Sequence, residues 1–126
     1  MKRKSIEISF SNENNHVKMG LTLFSFEEDN VFFVYSPALD VIGYGNDLKE
    51  AEVSFQLTLD EFLRYTNNKK TFNDELKRLG WVVGSNKKRK IKAPSMSELL
   101  RDNEYLADII KNPTHKVEER DVLIPV

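Results

Sequence analysis

The chain has 126 residues, 40% of them hydrophobic and 31% charged, with a formal net charge of −1 and no cysteine. That length suits one core and is too short for two ordinary domains of ~100 to 150 residues. Without cysteine there is neither a disulfide framework nor a thiolate metal site, and no apolar run approaches the ~20 residues that span a bilayer.

The start, MKRKSIEISF, carries charge with no long apolar region behind it, so no signal peptide is predicted and a cytoplasmic location is expected. In SIEISF, apolar Ile6, Ile8 and Phe10 alternate with polar neighbours, the period of a strand buried on one face. Asn12 to Asn15 break it. The β-rich runs Leu21 to Phe26 and Val31 to Tyr35 are separated by Glu27, Glu28, Asp29 and Asn30. They predict a hairpin, because Asp and Asn tolerate the backbone angles of tight turns. Pro37 cannot donate to a ladder, so it ends the second strand or sits on an edge. LDVIGYG then gives a short third one.

Asp47 is placed as an N-cap, with Glu50 three residues on completing a capping box. Behind it Ala51, Phe55, Leu59, Phe62 and Leu63 recur at helical spacing to about Tyr65, and a helix of ~18 residues, ~27 Å long, covers a small sheet. Asn67 and Asn68 close it. Thr71 is read as the cap of a second helix carrying Phe72, Leu76 and Leu79, with Gly80 at its C-terminal cap and Trp81 packing back. WVVGSNKKRKIKAP reads as a hairpin turning at Gly84, Ser85 and Asn86 and stopped by Pro94. SMSELLRDNEYLADIIKNP has caps at Ser95 or Ser97 and at Asn103, which predicts one broken helix or two short ones ended by Asn112 and Pro113. The end, KVEERDVLIPV, is extended, with Val122, Ile124 and Val126 on one face.

The charge is segregated. Between Lys69 and Lys92 stand nine Lys or Arg against Asp74 and Glu75, whereas from Ala93 to Val126 there are four basic and seven acidic residues. Such an acidic tail lies on its own basic segment or on a cationic partner. Within the basic part, Lys87, Lys88, Arg89, Lys90 and Lys92 have two readings: contact with nucleic-acid phosphates, or a solvated edge strand whose lysines block aggregation. No finger, zipper or arginine-rich arm accompanies them.

Gly43 and Gly45 precede a helix start, as in a phosphate loop, but Leu48 stands where a dinucleotide fingerprint has its third glycine and no Gly-Lys-Ser or Gly-Lys-Thr follows. The expectation is structural: glycine lets the strand turn sharply into the helix. His16 and His115 lie in polar segments with no Ser, Asp or second His at catalytic spacing. A nuclease holding Mg²⁺ would draw on Asp29, Asp40, Glu50 and Asp60, yet Asp29 belongs to a turn and Glu50 to a cap. No catalytic activity, metal or cofactor is therefore expected.

The same stretch, YSPALDVIGYGNDLKEA followed by FQLTLDEFL, resembles the HicB family of antitoxins through Tyr35, Pro37, Leu39, Asp40, Gly45, Leu48, Glu50 and Ala51. Asp47 replaces the family's threonine and still caps. With the helix the likeness covers about Leu21 to Tyr65. It implies a truncated RNase H fold without the catalytic carboxylates, and a partner that is a small RNA-cleaving toxin similar to HicA. Many members also bind their promoter through a helix-turn-helix or ribbon-helix-helix. SMSELLRDNEYLADIIK lacks that form.

The expected architecture is α+β, a three- or four-stranded antiparallel sheet covered by the Asp47 to Tyr65 helix. Residues 1–80 form the HicB-like part, and 81–126 a hairpin, short helices and a tail packed on or exchanged with it. The expected function is a non-catalytic antitoxin. The alternatives are a stand-alone interaction domain, a nucleic-acid-binding regulator using Lys87 to Lys92, and, behind these, a metal-dependent nuclease. Val122, Ile124 and Val126 must borrow a sheet edge from their own sheet, a second copy or the toxin, and a homodimer is the expected assembly.

Overall fold

The computed structural model describes residues 7–10, 15–65, 69–83 and 91–125. Ile6, the break at Asn12 to Asn14, Asn67, Asn68, the turn at Gly84 to Asn86, the run Lys87 to Lys90 and Val126 lie outside them. The fold is α+β. Its strands are β1 (Glu7–Phe10), β2 (Asn15–Glu28), β3 (Val31–Ser36), β4 (Val41–Gly45), β5 (Val82–Val83), β6 (Ile91–Lys92) and β7 (Lys116–Pro125). Its helices are α1 (Leu48–Tyr65), α2 (Lys69–Arg78), α3 (Met96–Asp102) and α4 (Glu104–Lys111). None of the described helices is long and apolar enough to cross a membrane.

Asp29 and Asn30 both take left-handed angles, φ 55° and 66°, so they form the turn that matches the twist of a two-residue hairpin. Glu27 and Glu28, expected in the connection, belong to β2 and pair with Phe32 and Val31. β2 also begins at Asn15, well before Leu21. β1, β2, β3 and β4 follow in antiparallel order, and β7 pairs with β2 from His16 to Ser25. Because β7 overlaps the residues of β2 that pair with β1 (Asn15 to Lys18) and with β3 (Phe24 to Glu28), those two strands share the opposite edge. The sheet thus has five strands, where the sequence predicts three or four, and the tail closes on its own sheet.

Alternation divides the core. Met19, Leu21 and Leu23 of β2, Val34 and Val41 face one side and pack with Ala51, Phe55 and Leu59 of α1, Phe72 and Leu76 of α2, and Trp81. Phe24, Phe26 and Tyr35 face the other side and meet Leu106 and Ile109 of α4. Phe55 has no exposed surface, and burying a side chain of that kind contributes about 1.5 to 3 kcal/mol.

The helix ends follow their chemistry. The Asp47 carboxylate accepts the Glu50 N–H at 2.8 Å, but the Glu50 carboxylate takes the N–H of Asn46, not that of Asp47, so the box is displaced by one residue. α2 starts no later than Lys69, which corrects the reading of Thr71 as its cap: Thr71 lies inside the helix. At its end Trp81 N–H reaches Leu76 O at 2.9 Å and Gly80 N–H reaches Lys77 O at 3.0 Å. That is the paired Schellman closure, with Gly80 at φ 98°. Ser95 and Asn103 cap two separate helices, α3 and α4. In the small hairpin Val83 pairs with Ile91, whereas a turn at Gly84 to Asn86 would have paired it with Lys87.

Candidate functional site

Gly43 and Gly45 do not carry a bend. Neither has positive φ; both lie in β4. A Cβ at Gly43 would overlap the backbone N and Cα of Phe55, and one at Gly45 would overlap Glu50. The expected reason, a sharp turn, is therefore corrected: glycine allows α1 to lie against the strand. The N-terminus of α1 is already filled by the carboxylates of Asp47 and Glu50.

The carboxylates considered for a metal are dispersed. Asp29 is in the hairpin turn, Glu50 caps α1, Asp60 accepts from Gln56 at 3.0 Å, and Asp40 accepts from the Tyr35 hydroxyl at 3.1 Å. Among the described residues no three His, Asp or Glu side chains gather as a metal site. His115 places Nδ1 2.8 Å from Asn112 O.

The turn Pro37 to Asp40 is locked from three sides. Trp81 Nε1 donates to Ala38 O at 2.8 Å, Tyr35 holds Asp40, and Asn103 Nδ2 donates to the Tyr35 hydroxyl at 3.0 Å. Burial, opposed by the Asn103 bond and helped by the Asp40 charge, pushes the Tyr35 hydroxyl up to about 12. Beside this turn a cleft of about 520 Å³ is lined by Asp40, Arg78, Glu98, Arg101, Asp102 and Asn103 among others. Three of its charged groups have structural partners: Asp40 accepts from Tyr35, Arg78 pairs with Glu75, and bonds from Ser95 hold the Glu98 carboxyl below its ordinary range.

The other notable surface is the β7 strand. Val122 is half-buried against the α1-side core; Ile124 pairs with Val17. Val117 and Leu123 are 54% and 55% exposed. Between them run Glu118, Glu119, Arg120 and Asp121. Arg120 is held by Glu118 at 2.8 Å and by Glu52 of α1 at 2.9 Å. Burial lowers its basicity, and those two carboxylates more than reverse this. Glu119 accepts from Thr22 at 2.7 Å. A cavity of about 440 Å³ between β2, β7 and α3 opens beside Val117 and is walled by Pro94, Met96 and Leu99.

Of the basic run, Lys92 is exposed on β6 and is the only described member. The residues bringing acid and apolar surface to one strand, Val117, Glu118, Glu119, Asp121 and Leu123, were absent from the sequence-based candidates. Their signal was the other half of the same period of two: Val117, Glu119, Asp121 and Leu123 fall on the face opposite Val122 and Ile124. No family model, curated protein or solved structure matches the chain.

Proposed function

We propose that the chain is a non-catalytic protein-binding module of HicB type, a cytoplasmic antitoxin that covers a small basic RNA-cleaving toxin similar to HicA. The observation that carries this reading is the acid-rich strand β7, whose exposed side chains include Glu118, Glu119 and Asp121. A protein that cleaves RNA must hold phosphates and is basic where it does so. An acidic strand is the complementary surface.

The motif residues support the reading in a second way. Tyr35 and Asp40 fix the turn, Gly45 admits α1, Glu50 bonds ahead of the helix start and Ala51 is buried beneath it. They build the helix-on-sheet unit that the HicB resemblance implies.

The test is co-expression with a HicA-like toxin encoded beside the chain. A stoichiometric complex on size exclusion and suppressed RNA cleavage are expected. A toxin that stays separate and active in excess of this protein rules the reading out.

A further inference from the structure

We propose that the outer edge of β7 receives an extended basic segment of the partner as an added strand. This rests on the reading of the chain as a protein-binding module.

A sheet edge presents a row of N–H and C=O groups that another strand can pair with. On the β4 edge Ser54 Oγ of α1 already takes the Tyr44 N–H at 3.1 Å, and that strand has only five residues, Val41–Gly45. β1 is short, Glu7–Phe10. β7 is the long edge: its inner side is paired with β2 over ten residues, Lys116 to Pro125, and among the described residues no strand pairs with its outer side.

The charges choose the occupant. A second β7, added through a two-fold axis so that the faces of the sheet continue, must set one residue against its own copy. Centres at residues 118 to 121 oppose Glu118, Glu119, Arg120 or Asp121 to itself, which like charges disfavour, and centres at Val117 or Leu123 pair only the end of the strand, residues 116–118 or 121–125. A centre at Val122 sets Arg120 and Asp121 against apolar Ile124 and Leu123. A basic strand has no such conflict.

The register gives its pattern. Val117, Glu119, Asp121 and Leu123 lie opposite Phe24, Thr22, Gly20 and Lys18 on the face that α4 covers in part. The matching segment alternates apolar, basic, basic and apolar residues at every second position. That order reads the same in both directions, so parallel and antiparallel addition both satisfy it. Glu119 already accepts from Thr22, and an ionised carboxylate retains further acceptor sites.

The experiment uses the full chain, isotopically labelled, and a blocked peptide of sequence Val-Thr-Lys-Thr-Lys-Thr-Val at millimolar concentration. Amide shifts gathered on Lys116 to Pro125 are expected. Affinity should fall ~10-fold or more for Asp121→Lys, or when both peptide lysines become glutamate, a change that leaves the protein untouched. N-methylation of alternate peptide nitrogens should abolish binding. Absence of binding, shifts centred elsewhere, equal binding of the methylated peptide, or an edge already occupied by a second copy each overturn the proposal. With the toxin itself, unchanged binding to Asp121→Lys removes the edge and leaves the module reading intact. Peptide binding with no toxin complex does the reverse.

Discussion

Tyr35 shows how one side chain joins three segments. Its ring is buried against the α4 side of the sheet, edge-on to Tyr105 at 5.2 Å. Its hydroxyl donates to Asp40, which has φ 57°, and accepts from Asn103, whose own Oδ1 caps α4 through Leu106 N–H at 3.0 Å. Since the hydroxyl is raised from 10.0 to about 12 in the folded chain, the unfolded chain loses this proton first. The associated stability is complete below pH 10 and is lost as pH rises from 10 toward 12, by roughly 2 to 3 kcal/mol at most. Tyr105 is raised in the same direction, so the comparison needs Tyr35→Phe. Urea denaturation at pH 8, 10 and 11.5 should show a shallower decline for Tyr35→Phe. It should also show about 1 to 2 kcal/mol lower stability at pH 8, because Asn103 and Asp40 lose a partner. Parallel pH curves would remove Tyr35 as the titrating group.

At the scale of elements, the approach of α1 to β4 depends on a missing side chain. Gly43→Ala places a methyl on the backbone of Phe55, which cannot swing aside as a flexible side chain does. The expected cost is about 1 to 3 kcal/mol or more in chemical denaturation, and a change below half a kcal/mol would mean the helix shifts freely. The helix itself was legible from local chemistry: Asp47, the period through Ala51, Phe55 and Leu59, and the end near Tyr65 all lie within one segment. The same holds for Asp29 and Asn30, for Ser95 and Asn103, and for Gly80. The glycines were recognised but their reason was not, since close approach is a relation between two elements. The extra length of β2 was hidden because Lys18, Gly20 and Thr22 interrupt the apolar series on the less covered face. Thr71 has the chemistry of a cap, yet it lies inside a helix that already includes Lys69 and Lys70.

Across the whole molecule the decisive contact joins residues far apart in the chain: Thr22 and Glu119 are separated by 97 positions. The sequence announced an edge-seeking tail and left its edge open, because alternation defines a face and not a neighbour. Pairing with β2 removes the need for exchange on which the expected homodimer rested. It also gives the C-terminal strand a protective task. Deleting Lys116 to Val126 opens the edge of β2 from His16 to Ser25 and strips Val122 from the core that holds Met19 and Leu21. A flat edge of that length, without the charges of Glu118 to Asp121 in front of it, is a template for association. Light scattering should find the truncated chain aggregated or in rising oligomers at concentrations where the full chain keeps a constant mass. Its denaturation midpoint should also fall. A truncated chain with unchanged mass and unchanged midpoint would mean that β7 lies on the sheet without supporting it.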